Sequence, residues 1–194
     1  REGDGLFFYT TCGWMMWNWL VGGLLAGATI VLYDGSPLHP DPGILWRLRE
    51  ETGITHFGIS PKYLTSVIKA GYEPARHHSF EGLRTIYSTG SPLLPEHYEF
   101  IYSKTSPMAR DPDKGIQLSS ISGGTDIVGC FMLGNPLSSV RAGEIQGPGL
   151  GLDVASVDEA GLPQVGVKGE LVCRNSFPNM PLGFWNDADG SKYK

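Results

Sequence analysis

Apolar residues along the chain change period several times, and each change marks an element. Between Gly5 and Tyr33 there is no charged residue. Within that run, residues 14–26 read as a buried helix. Residues 29–33, β-branched and closed by Asp34-Gly35-Ser36-Pro37, read as a buried strand. The run also imitates a membrane span, since Gly23-x-x-x-Gly27 matches the small-residue pattern of packed membrane helices. Asn18 in its middle, the crowding of glycines and the lack of Lys or Arg anchors at its edges favour helix plus strand, with no membrane span.

Further on, Ile44, Leu45 and Leu48 share one face of a helix over residues 44–51. Residues 54–59 follow as a strand, stopped by Ser60-Pro61. That pair also starts a helix: Ser60 can cap free amides, and Pro61 fits the first turn, where its missing N–H costs nothing. Leu64, Val67 and Ile68 give this helix its apolar stripe, and Gly71 ends it. A strand at 83–88, the turn Thr89-Gly90-Ser91-Pro92 and a helix at 95–104 come next. Residues 106–115 read as a polar surface loop, expected to be the most mobile stretch. A strand at 116–120 leads into Ile121-Ser122-Gly123-Gly124-Thr125-Asp126.

Strands alternating with helices predict an α/β unit, a mostly parallel sheet flanked by helices, over residues 1–139. From residue 140 to 194 glycines are frequent. Residues 152–157 and 169–173, with Glu159-Ala160-Gly161 between them, read as antiparallel strands and turns of a small β-rich subdomain, a partial barrel. Ligands of parallel sheets bind at the carboxyl ends of strands, so the loops after residues 88 and 120 are site candidates by position.

Composition alters this picture little. Forty-one per cent of the 194 residues are hydrophobic and 18% charged, a globular profile. A net charge of −5 argues against a nucleic-acid partner. Cys12, Cys130 and Cys173 are few, odd in number and far apart, which speaks against a disulfide framework or thiolate metal site and for a reducing, cytoplasmic setting. The first residue is Arg1, and no basic region precedes a short apolar stretch; the chain is read as an internal piece of a longer one, without a signal peptide.

The stretch from Ser119 to Asp126 carries the most chemistry. Gly123 and Gly124 could let successive amides form an anion-binding nest, Thr125 adds a hydroxyl donor, and Asp126 offers a hard oxygen for Mg²⁺. The same residues equally spell a turn and a helix cap. Ser88-Thr89-Gly90-Ser91-Pro92 has the same two readings. Gly147-Pro148-Gly149-Leu150-Gly151 lacks the dinucleotide spacing and precedes a strand. The five histidines have no metal spacing, and no Gly-x-Ser-x-Gly elbow occurs. Trp14, Trp17 and Trp19 read as core aromatics.

Taken together and in order, several segments resemble the adenylate-forming superfamily of acyl-CoA synthetases, most closely its acetoacetate-activating branch. They are residues 9–18, Leu32-Tyr33-Asp34-Gly35-Ser36-Pro37, Ser88-Thr89-Gly90-Ser91-Pro92-Leu93, residues 120–127, Gly143-Glu144-Ile145-Gln146 and Phe184-Trp185-Asn186-Asp187. The resemblance implies a ligase that uses ATP to form an acyl-adenylate and then hands the acyl group to CoA, releasing AMP. Gly90, Ser91 and Pro92 would line the adenosine site. Ser122, Gly123 and Gly124 would lie beside adenine and the acyl pocket, with Trp14, Met15 and Met16 as the facing wall. Thr125 would be the catalytic contact to the α-phosphate, and Asp126 would hold Mg²⁺ where relatives carry Glu. Acetate-specific relatives have tryptophan at the position of Gly123, so the glycine is expected to leave room for a β-keto acid such as acetoacetate. The superfamily's phosphate loop, ribose-binding Asp and catalytic Lys are expected outside this chain, which alone would be inactive. A non-catalytic nucleotide-binding or interaction module with the same fold is the competing reading.

Overall fold

The computed structural model describes residues 2–105 and 115–193. The predicted loop at 106–115 therefore falls almost wholly outside the described residues. Five short strands, β1 (Gly5–Phe8), β2 (Thr29–Ile30), β3 (His56–Ile59), β4 (Thr85–Ser88) and β5 (Gln117–Ser120), pair in parallel in the order β2-β1-β3-β4-β5. The helices between them are α1 (Met15–Gly22), α2 (Ile44–Thr52), α3 (Pro61–Lys69) and α4 (Pro95–Lys104).

Register explains which face each residue serves. Phe7, Phe57, Ile86 and Leu118 stand side by side on four adjacent strands. With Leu45 and Trp46 of α2, Leu64 and Val67 of α3 and Ile101 of α4, they form the main core. Trp46 is fully buried, its ring 4.9 Å from Phe57 and 5.6 Å from Phe80. The buried Arg49 guanidinium donates to the carbonyls of Ile54 (3.1 Å), Ser79 (2.8 Å) and Glu81, so the cation also closes the loop before β4. Ser60 caps α3 as expected, its Oγ accepting from the Tyr63 amide at 3.2 Å.

On the opposite face, Phe8 packs with Met15 and Met16 of α1 and with Ile121. Gly58 makes that possible, because a Cβ there would enter the Phe8 ring. Beyond Phe8 this face becomes polar. His56, Thr85, Tyr87, Gln117 and Ser119 line a cavity of about 1200 Å³, roofed by Leu133 and residues 136–140.

Most strands are one or two residues shorter than the apolar pattern predicts, and two elements fall further short. The helix at 14–26 ends at Gly22 and continues as one 3₁₀ turn, Gly23–Ala26. Gly23 lies where a Cβ would meet Leu6 Cδ2 at 2.5 Å, and Gly27 closes the turn at φ 72°. The membrane-like glycine spacing is thus used for a close helix–strand approach and a cap. Among the described residues, no helix is long and apolar enough to cross a membrane. The strand at 29–33 is paired only at Thr29 and Ile30, plus one bond from the Val31 amide to Leu6 O at 2.9 Å. After it the Tyr33 hydroxyl turns to Ser36 O at 3.0 Å.

The remaining strands are antiparallel. Strands β6 (Ser122–Gly124), β7 (Gly129–Leu133) and β8 (Gly147–Pro148) form one sheet, and β9 (Val154–Val157) pairs with β10 (Glu170–Cys173). Glu159-Ala160-Gly161, expected among the strands, is a turn. The Asp158 carboxylate accepts from the amides of Ala160 and Leu162, each at 2.9 Å, and Gly161 takes φ 79°.

Candidate nucleotide site

The loops of interest leave the carboxyl ends of β4 and β5. Ser88 closes β4 fully buried, its Oγ without a hydrogen-bond partner among the described residues. Thr89 then turns toward the neighbouring loop, its hydroxyl donating to Ile121 O at 2.8 Å. That bond ties the two sequence-predicted loops together. Gly90 follows at φ 97°, a conformation open to glycine. A Cβ there would meet the Trp14 ring at 3.4 Å, so Trp14 lies directly against the loop. Ser91 and Pro92 are exposed beside it.

Behind this loop, α4 starts on an anchored end. The buried His97 accepts the Leu94 amide at Nδ1 (3.1 Å), leaving Nε2–H to face the Thr65 hydroxyl at 2.9 Å. Thr65 in turn donates to Pro61 O at 3.0 Å. Burial lowers the His97 pKa, partly offset by Glu96, and keeps the ring neutral.

Met15 and Met16 are buried against Phe8 and Ile121, with Trp14, Cys130 and Leu133 around them. The structure therefore brings Trp14–Met16, the Gly90 loop and the start of residues 121–126 to one place. Residues 122–126 differ from the expected nest. Neither Gly123 nor Gly124 takes a left-handed φ, and both lie in β6, paired with β7. The register shifts between Ser122 and Gly123, and a Cβ at Gly123 would run into Gly129 O and approach the Cys130 Cα at 2.6 Å. A Cβ at Gly123 would thus meet the backbone of β7, a close approach that suits glycine.

Thr125 and Asp126 stand exposed in the turn between β6 and β7, which closes with the Val128 amide on Thr125 O at 3.1 Å. No group of three or more His, Cys, Asp or Glu is placed to hold a metal ion among the described residues. A lone exposed carboxylate suits Mg²⁺ that draws its other ligands from water and phosphate, and does not suit an all-protein cage. None of residues 14–16, 90–92 or 122–126 lines the 1200 Å³ cavity, but Ile121, Cys130 and Leu133, which pack around Met15 and Met16, do.

Two contributors escaped sequence reasoning. Thr89 was visible only as part of a turn. Asn179, whose side-chain amide donates to Ile127 O, comes from 52 residues away and carries no local signal.

A family profile described as "AMP-binding enzyme" matches residues 1–185, a span that includes the parallel sheet and the loops after β4 and β5. The chain belongs to the AMP-binding enzyme family. Among particular proteins it is similar to acetoacetyl-coenzyme A synthetase of Rhizobium meliloti (strain 1021), 54% identical over 194 residues, which are all of this chain and 29% of that protein. The acetoacetyl-CoA synthetase of Danio rerio is 48% identical over 190 residues, 98% of this chain and 27% of the relative. A solved structure, acetoacetyl-CoA synthetase from Streptomyces lividans, superposes with a TM-score of 0.90 at 45% identity, covering 99% of this chain and 29% of that one. The chain thus spans less than a third of the length of the relatives it matches.

Proposed function

We propose that this chain is the adenylate-cradling part of an acetoacetate–CoA ligase. One observation carries the reading: Thr89–Ile121 and Trp14–Gly90 join three separate motifs at the carboxyl ends of parallel strands. The names of the relatives supply the substrate class.

In the proposed reaction a carboxylate oxygen of acetoacetate attacks the α-phosphorus of ATP. The bond to the bridging oxygen breaks, and pyrophosphate leaves. The CoA thiol then attacks the acyl carbon, loses its proton, and AMP departs with the bonding pair. The substrate is its own nucleophile, so the protein's task is positioning and charge neutralisation. Gly90, Ser91 and Pro92 offer backbone to the adenosine, with Trp14 closing one side. Met15 and Met16 back the acyl pocket. Thr125 directs its hydroxyl to the α-phosphate, and Asp126 would hold a Mg²⁺ that spreads phosphate charge when bound. Ser122, Gly123 and Gly124 border the pocket through their strand backbone. Three free cysteines suit a reducing cytoplasm.

Carboxylate-dependent ATP–pyrophosphate exchange by the full-length protein tests this. Acetoacetate should outperform acetate by at least about tenfold, the discrimination that an apolar pocket gives for a missing group. Exchange that is indifferent to the acid would overturn the substrate assignment. Gly123→Trp should shift preference toward acetate, and undiminished acetoacetate exchange in that variant would overturn the pocket assignment.

A further inference from the structure

We infer that Asn179 is a positioning residue for the turn that presents Thr125 and Asp126. The inference rests on the reading of those two residues as the phosphate- and Mg²⁺-facing pair. Among the described residues neither exposed side chain makes a hydrogen bond, so the backbone turn sets their direction. That turn is held at two points. Within it, Ile127 is buried and the Val128 amide bonds Thr125 O. From outside, the Asn179 amide donates to Ile127 O.

The turn needs the second hold. Val128 has φ 44°, a left-handed conformation that a β-branched residue avoids. Such a residue persists only where its surroundings over-determine it. Asn179 is itself fixed. It lies in the turn closed by the Met180 amide on Phe177 O at 3.1 Å, and Phe177 meets Phe131 of β7 edge to face, centroids 5.9 Å apart. Gly129 completes the fit, since a Cβ there would lie 2.8 Å from the Asn179 amide nitrogen. The segment after β10 is thereby coupled to the site through one amide and one glycine.

The test uses the full-length protein with Asn179→Ala and the isosteric Asn179→Asp, alongside Asp126→Ala. Two readouts other than turnover are taken: hydrogen exchange of the peptide spanning 122–130, and Mn²⁺ binding in the presence of ATP, followed by the free-ion EPR signal. Both Asn179 variants should exchange the Val128 amide faster and bind Mn²⁺ about three- to tenfold more weakly, the size a lost hydrogen bond carries. Peptides from β4 and β5 should keep their protection, which separates positioning from general unfolding. Unchanged protection at 122–130 in both variants overturns the inference, whatever Asp126→Ala does. Faster exchange with Mn²⁺ binding untouched by Asp126→Ala overturns the Asp126 reading itself, and the positioning role with it.

Discussion

Among the described residues, every buried hydrophobic side chain except Ile127 and Val157 lies at or before Ile121. The first region, up to Ile121, is held by packing around Trp46, Phe57 and Ile86, and the buried Arg49 and His97 are hydrogen-bonded inside it. The second is held by turns. Asp158, Asn175 and Asp187 accept backbone amides at the surface, and Leu150, Leu182 and Trp185 stand open. The candidate site lies on the seam, taking rigid strand ends from the first region and an exposed turn from the second. Firm strand ends can fix a nucleotide, while a loosely packed turn can adjust to it.

The largest contrast is in stability. Trp46→Ala should cost about 3–5 kcal/mol, as large-to-small core substitutions do. Leu171→Ala, in β10 with 47% exposure, should cost less than about 1 kcal/mol. Denaturant unfolding of the two variants compares them directly. Similar losses would erase the distinction between the regions.

How much of this was legible follows the same division. Alternating strands and helices predicted the parallel sheet, and the helix at 95–104 has the boundaries the pattern implied. Ser60 and Pro61 announced α3 because capping is a local matter. The turn at Asp158 hid behind its β-like neighbours, because a side-chain carboxylate and not hydrophobic period decides it. Gly123 was visible as an unusual glycine, yet its physical reason, contact with Gly129 and Cys130 across a hairpin, depends on register. Asn179 was illegible, since nothing near it in sequence names Ile127 as its partner.

A second prediction concerns pH. His97 is buried and uncharged, its pKa lowered from 6.5 by desolvation, with Glu96 Oε1 at 4.0 Å as the opposing charge. The unfolded chain therefore binds this proton more readily, so the stability contribution is whole above pH 6.5 and declines as pH falls through the depressed folded value. His97→Gln should flatten stability against pH in that window. The surface carboxylates Asp158 and Asp189, whose pKa values are lowered chiefly by backbone amides, should act only in more acid solution. A wild-type profile as flat as the variant's between pH 6.5 and 5 would remove His97 as the first region's acid-sensitive point.

The smallest effect probes the turn at the seam. Val128 is half exposed at φ 44°, so its side chain brings little burial while its backbone carries strain of about 1–3 kcal/mol. Glycine removes that strain but loses about 0.5–1 kcal/mol to chain entropy. Val128→Gly should therefore leave the protein about 0–2.5 kcal/mol more stable. Val128→Ala keeps a Cβ in the left-handed region and should give no such gain. Paired thermal unfolding decides between strain and burial as the main influence at this position. If alanine stabilised as much as glycine, the strain would be absent, and the turn carrying Thr125 and Asp126 would be an ordinary loop of the second region.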